Sequence, residues 1–237
     1  YEKITQFLKA KKEAEQILKI EKRNIWALQY LLFLSEKEEN WDQAVGLTKQ
    51  IQKITGKHDP DDLARFQVYK GLEKLKSGFP DEARSFFNKA LKSSPDFGLP
   101  YRYLGDMFEQ IRDLVKAVEN WESFAVRDIK NASMVFGKIE SALFDLGRYS
   151  EVENFYRRIL EIDSSNFEAI IRLANVLEEK GEDGAALSLI EDAIDPQSID
   201  VRGEIMKLKL SLTTSTPVEL SHQIDSILEK LSDAKDN

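Results

Sequence analysis

The side chains that most often perform catalysis or hold metal ions are scarce in this sequence. Its 237 residues include two histidines, His58 and His222, and no cysteine. Neither histidine has a carboxylate at a metal-ligand spacing, and without cysteine there can be no thiolate metal site and no cysteine nucleophile. Glycine-rich phosphate loops and the G-x-S-x-G nucleophile turn are also missing from the sequence. We therefore predict no catalytic residue, no metal site and no cofactor, so that the protein is not an enzyme.

Three basic side chains recur at nearly equal intervals along the chain, and each is followed one helical turn later by a polar side chain. The pairs are Arg102 with Asp106, Lys138 with Ser141, and Arg172 with Asn175. Because side chains three or four residues apart share a helix face, we expect these pairs to form a ladder along a groove. Such a ladder suits an extended acidic peptide or a terminal carboxylate. The alternative is an ordinary solvated face, since Lys and Arg are common on helix surfaces.

The segment from Ile25 to Ser35 is apolar on nearly all sides of a predicted helix. Its aromatic side chains are Trp26, Tyr30 and Phe33. We favour burial of this helix against its neighbours in the fold. The alternative is an apolar docking face for a partner or for further repeats upstream.

The overall charge and hydropathy limit the classes of partner. Asp and Glu number 42 against 34 Lys and Arg, and the resulting net charge of -8 repels phosphate backbones, so we expect no nucleic acid partner. The sequence has no apolar run long enough to span a membrane, so we expect no membrane contact by this chain itself. The chain begins at Tyr1 inside a helical pattern, which predicts that it is part of a longer protein, one that can carry a membrane anchor elsewhere.

An internal repeat positions all these side chains. The same offset of about 34 residues separates Gly71 from Gly105 and Phe87 from Trp121. Further copies follow at nearly the same offset, and an earlier copy lies somewhat further upstream, with a loop over residues 56–62 holding the excess. A fixed period of this length is typical of a solenoid built from helical hairpins.

The best-preserved copy of the repeat has a recognisable order of residues. It reads Tyr101, Leu104, Gly105, Phe108, Ala117, Trp121 and Phe124. This order resembles the tetratricopeptide repeat (TPR), in which W-x2-L-G-x2-Y is followed by A-x3-F. The resemblance implies an all-α fold, a right-handed α-α superhelix of antiparallel helix pairs. It also implies a non-catalytic scaffold that binds a protein or peptide partner in its concave groove. Leu32 and Glu140 depart from the pattern because they occupy its small-residue position.

The repeat divides the chain into segments. We predict a single TPR solenoid domain over residues 1–237, with thirteen helices. The predicted segments are a partial element at 1–24, repeats at about 25–58, 61–96, 97–131, 132–165 and 166–198, and a closing helix pair at 199–233.

The order of features is similar to the cytoplasmic TPR region of the bacterial lipopolysaccharide assembly protein B family. The similarity rests on residues 27–32 and 41–45, the inserted loop, the repeat at 101–117 and the helix pair after Pro196. It implies a cytoplasmic adaptor, tethered to the inner membrane through a segment outside this chain, that controls lipopolysaccharide synthesis. Two other functions stay open: a structural spacer or oligomerisation segment of a larger assembly, and an accessory domain of an enzyme whose catalytic part lies elsewhere.

Overall fold

The computed structural model describes residues 2–193, 201–212 and 215–233, and over these residues the fold is all-α. The described residues form thirteen α-helices and a short 3-10 helix at Ile129–Asn131, with no β-strand among them. The helices are α1 (Glu2–Ile20), α2 (Ile25–Lys37), α3 (Trp41–Thr55), α4 (Pro60–Lys76), α5 (Pro80–Ser93), α6 (Leu99–Gln110), α7 (Leu114–Arg127), α8 (Ser133–Asp145), α9 (Ser150–Ile162), α10 (Phe167–Glu179), α11 (Asp183–Ala193), α12 (Val201–Ser211) and α13 (Pro217–Asp233). The all-α prediction is confirmed.

Side-chain caps explain where several helices begin. The side-chain oxygens of Asn24, Asn40 and Asn166 accept hydrogen bonds from the backbone N–H three residues on, at 3.0, 3.2 and 3.1 Å. Asp59 caps α4 directly before Pro60, which is the first residue of that helix. Because the first N–H groups of a helix have no partner inside the helix, these side chains define its start.

The link between the first and second helix of each repeat contains one residue with positive φ. These residues are Glu39, Gly78, Arg112, Gly147 and Gly181, with φ between 53° and 82°. Each stands at the same short distance in sequence before the small or aliphatic residue that marks its repeat, which is Ala44, Ala83, Ala117, Val152 or Ala186. The backbone therefore repeats with the same period as the side chains.

The chain divides into two compact units, residues 1–111 and 112–237. In the first unit, one core cluster surrounds Leu28 and Leu31 of α2, and a second surrounds Phe87 of α5. In the second unit, Phe136 of α8 meets Phe155 and Tyr156 of α9, at ring-centroid distances of 5.6 and 5.2 Å and nearly at right angles. The assignment of one domain to residues 1–237, with the repeat bounds given above, stays a prediction. Its boundary near Pro196 lies outside the described residues.

Helices α4 and α5 approach each other closely at Gly71. A Cβ atom placed on Gly71 would lie 2.5 Å from Cε1 of Phe87, whose side chain is fully buried. In the preceding repeat, the residue on the first helix is the larger of the two and the residue on the second helix is the smaller. When the two repeats are aligned on Ala44 and Ala83, Leu32 takes the place of Gly71, and Thr48 takes the place of Phe87. The first hairpin is consequently packed differently from the second.

Candidate functional site

Lys138 on α8 and Arg172 on α10 occupy equivalent positions in the second unit. Nζ of Lys138 lies 5.0 Å from the ring centroid of Trp121, on the second helix of the preceding repeat. Arg172 and Tyr156 both donate a hydrogen bond to the carboxylate of Glu140. Tyr156 is the residue of the following repeat that corresponds to Trp121. Each basic side chain therefore lies beside the large aromatic residue of the repeat before it.

Arg172 is held by two carboxylates. Its guanidinium donates to Oε2 of Glu140 at 2.6 Å and to Oε1 of Glu168 at 2.8 Å. Arg202 donates to the other oxygen of Glu168 at 2.9 Å. The hydroxyl of Tyr156 donates to Oε1 of Glu140 at 2.5 Å. Burial, together with the Glu140 carboxylate, raises the pKa of Tyr156 far above its usual value. This network links α8, α9, α10 and α12, and it balances the charge of Arg172.

The polar residues of the ladder on α8 and α10, Ser141 and Asn175, differ in the hydrogen-bonding groups that a ligand could reach. Ser141 is exposed on α8. The Nδ2 group of Asn175 donates to the backbone carbonyl of Ile171 at 3.0 Å, so its side-chain oxygen is the group it can present to a ligand. Asn175 and Arg172 line a concavity of about 390 Å³. A ligand there would meet a neutral amide oxygen as well as charged groups.

Arg102 and Asp106 lie on α6 in the first unit, and both are half-buried. The guanidinium of Arg102 lies 5.5 Å from the ring of its neighbour Tyr103. Tyr103, rather than Arg102, has the place that Lys138 has in its own repeat, because it stacks on Phe87 at 5.5 Å. The contact between Tyr103 and Phe87 shows that Tyr103 is the counterpart of Lys138 and Arg172. Arg102 therefore lies one residue before the position that those two share. The function of the six ladder residues stays a prediction.

The aromatic side chains of α2 form a row along one face of the helix. The ring centroids of Trp26 and Tyr30 are 5.7 Å apart, and those of Tyr30 and Phe33 are 6.5 Å apart. Trp26 is 64% exposed and Phe33 is 44% exposed, whereas Tyr30 is half-buried. The expectation that this helix is buried is therefore wrong for Trp26 and Phe33. The reason is that α1 and α3 cover the opposite side of α2, where Leu28 and Leu31 lie.

Metal sites and membrane-spanning helices are both absent from the part of the chain that the structure describes. Over those residues, no three His, Asp or Glu side chains are placed to hold a metal ion. None of the described helices is long and apolar enough to cross a membrane.

Comparisons with known proteins identify the fold. No family model matches the chain. Lipopolysaccharide assembly protein B of Escherichia coli K12 is 22% identical over 162 residues, which are 68% of this chain and 41% of the relative. The matched segment thus spans less than half the length of that protein.

Among solved structures, the C-terminal part of a TPR repeat-containing protein from Cytophaga hutchinsonii covers 96% of this chain and 91% of its own, with a TM-score of 0.56 and 14% identity. MamA covers 70% of this chain and 97% of its own, with a TM-score of 0.49 and 20% identity. The likeness to the Cytophaga protein shows that the chain has the TPR fold.

Proposed function

We propose that this chain is a non-catalytic scaffold that holds a protein or peptide partner on the first helices of its repeats. The observation that carries the proposal is the aromatic row of α2. Trp26 and Phe33 are large apolar side chains that the fold leaves exposed. Exposed aromatic patches are common at protein contacts, and Trp and Tyr supply much of the binding energy there.

The aromatic row favours a binding surface over a plain spacer. A spacer needs only a buried core and a polar surface, and exposed aromatic residues add a risk of aggregation. An oligomerisation segment would use the same row to bind a second copy of the chain. The two functions differ in what covers Trp26, which an experiment can decide.

The similarity to lipopolysaccharide assembly protein B supports a finer version of the proposal. In this version the chain is the cytoplasmic TPR region of an adaptor for lipopolysaccharide assembly, tethered to the inner membrane through a segment outside this chain. The proposal is supported by 22% identity over 68% of the chain. The partner would then belong to the machinery of lipopolysaccharide synthesis.

The aromatic row is tested by the double substitution Trp26→Ser and Phe33→Ser. We expect the wild-type chain on a resin to retain a specific partner from bacterial extract, and the double variant to retain at least about tenfold less, because truncating a binding hot spot costs about 2 kcal/mol or more. Phe79→Ser is the matched control, since Phe79 is 52% exposed in the same unit but lies outside the row. Quantitative mass spectrometry measures the retained protein.

Two results would contradict the scaffold. One is retention of the same proteins by the wild-type chain and by blank resin. The other is a homodimer in analytical ultracentrifugation that the double variant dissociates, which would assign the row to oligomerisation.

The basic ladder makes a separate prediction about the same partner. Arg102→Glu combined with Lys138→Glu is expected to weaken binding of an acidic segment and to reduce the dependence of its affinity on salt. Arg172 is left unchanged because its reversal would break the ion pairs with Glu140 and Glu168. Circular dichroism checks that helicity is preserved, and titration at two salt concentrations gives the affinities. Undiminished affinity with the same salt dependence would assign these side chains to an ordinary solvated surface.

A further inference from the structure

A concavity of about 410 Å³ lies in the first unit, between α2, α3 and α4. Thr48 and Gln52 of α3, Leu32 of α2 and Arg65 of α4 line its wall, and the loop over residues 57–59 forms part of its rim. Its volume falls in the range of small-molecule and side-chain binding sites in proteins. The concavity is therefore large enough for one side chain of a partner and the backbone next to it.

Three residues that line the concavity each carry a buried polar atom with no hydrogen-bond partner within the part of the chain that the structure describes: Oγ1 of Thr48, Oε1 of Gln52 and Nε of Arg65. Thr48 is 5% exposed and Gln52 is 7% exposed, so both side chains are almost entirely buried. Nε2 of Gln52 donates to the backbone carbonyl of Asp59 at 3.1 Å, which fixes the orientation of the amide and leaves Oε1 as the acceptor. Buried polar groups without partners are costly to a fold, and they mark places where a ligand can supply the missing bonds.

Thr48 and Gln52 stand where the next repeat is apolar. In the alignment of Ala44 with Ala83, Phe87 corresponds to Thr48 and Leu91 corresponds to Gln52. The later repeats carry Trp121 and Tyr156 at the position of Phe87, and all three aromatic side chains are fully buried. Thr48 is smaller than the ring of Phe87, and Leu32 fills part of the space that this difference leaves. The residue that corresponds to Leu32 in the next repeat is Gly71, which packs against Phe87. The first hairpin thus has a polar recess where the next three have a buried ring and the one after them has the buried Ile190.

The charges around the recess disfavour an anionic ligand. Nη2 of Arg65 is already paired with Oε1 of Glu36 at 3.0 Å. Asp59 and Asp62 line the concavity and outnumber Lys57, the other residue there with a fixed positive charge. A carboxylate or phosphate would therefore meet repulsion from two aspartates. A neutral group with both a donor and an acceptor fits the three unpaired atoms better.

We propose that this recess binds the carboxamide group of an Asn or Gln side chain on a partner peptide. The carbonyl oxygen of the amide accepts hydrogen bonds from Nε of Arg65 and from the hydroxyl of Thr48, and its NH₂ group donates to Oε1 of Gln52. The inference rests on the proposed scaffold function and names a subsite for its partner. A backbone peptide group has the same donor and acceptor, so the experiment must separate the two sources.

The test uses four blocked amino acids as probes, namely the N-acetyl, N-methylamide derivatives of Gln, Glu, Leu and Gly. Each is titrated into the full chain while NMR follows the methyl signals of Thr48 and Ile51. We expect the Gln probe to bind at least about tenfold more tightly than the Glu and Leu probes, since a site built for a hydrogen-bonding group rejects analogues that lack it. A response to the Gly probe as strong as the response to the Gln probe would overturn the side-chain proposal, because the Gly probe carries only the backbone amides that all four probes share. Equal responses to all four probes would overturn the proposal.

Two substitutions remove the proposed contacts one at a time. Thr48→Val and Gln52→Leu are each expected to weaken binding of the Gln probe by about tenfold. Gln50→Leu is the matched control, because Gln50 lies on the same helix and is exposed, and it should leave binding unchanged. Thr48→Val should also raise Tm by roughly 2–4 °C, since it removes a buried hydroxyl that has no partner. Unchanged probe binding in both variants would overturn the proposal.

The outcome separates this inference from the scaffold function. If a partner protein is retained but the Gln probe does not bind, the recess proposal fails and the scaffold stands. If the Gln probe binds but no partner is retained, the scaffold function fails and the recess remains an amide-binding site.

Discussion

Replacing Trp121 with alanine is expected to lower the free energy of unfolding by about 3–5 kcal/mol. The indole is fully buried in the second unit, and Lys138 lies over its ring. Removing it takes away a large apolar area and leaves a cavity that the neighbouring helices can only partly close. Urea unfolding followed by circular dichroism gives the change.

The sequence offers a matched control for this substitution. Trp26→Ala removes the same side chain from a place where it is 64% exposed, and such surface changes stay within about 0.5 kcal/mol. Equal unfolding midpoints for the two variants would show that Trp121 is not part of the core.

Gly71→Ala is expected to destabilise the chain by about 1–3 kcal/mol, although alanine is the better helix former. The added Cβ would lie 2.5 Å from the buried ring of Phe87. That ring cannot move freely, because it is stacked on Tyr103. The cost of overpacking thus exceeds the gain in helix propensity.

Gly46→Ala serves as the control of opposite sign. Gly46 lies inside α3 of the same unit, and a Cβ placed there meets nothing within 4 Å. This variant should stabilise the chain by roughly 0.5–1 kcal/mol, since alanine loses less backbone entropy than glycine on folding. Stabilisation by both substitutions would contradict the close contact between α4 and α5.

The helices could be predicted from the sequence because hydrophobic period, caps and turn residues all indicate the same boundaries. Asn24 and Asp59 mark helix starts through their side chains, and the repeat offset between Gly71 and Gly105 marks the hairpins. The 3-10 helix at Ile129–Asn131 was not predicted, since so short a segment carries no periodic signal.

The exposure of the α2 aromatics could not be predicted because a helix that is apolar on all sides has no polar face to orient it. Which face is covered depends on the number of neighbouring helices, and α1 and α3 cover only the side of Leu28 and Leu31. The ion pair between Arg172 and Glu140 could not be predicted from the sequence either. Glu140 lies in the preceding repeat, and only the stacking of the repeats brings the two side chains together.

A signal for the polar recess was present in the sequence. Aligning the first repeat with the second on Ala44 and Ala83 places Thr48 against Phe87 and Gln52 against Leu91. This alignment shows that polar residues occupy two positions that are apolar in the core of the next repeat. It does not show that their oxygens lack partners, because that depends on the orientation of the Gln52 amide toward Asp59.

The positive-φ residue in each repeat has a consequence for how such a chain changes length during evolution. The extra residues of the first repeat lie between α3 and α4, and the link that contains Glu39 has the same form as the link that contains Gly78. Growth between hairpins leaves every turn intact, whereas an insertion inside a turn would displace its left-handed residue. Duplication of one whole repeat also copies the turn that lies inside that repeat. Ancestors of this chain could therefore gain or lose hairpins without inventing a new turn.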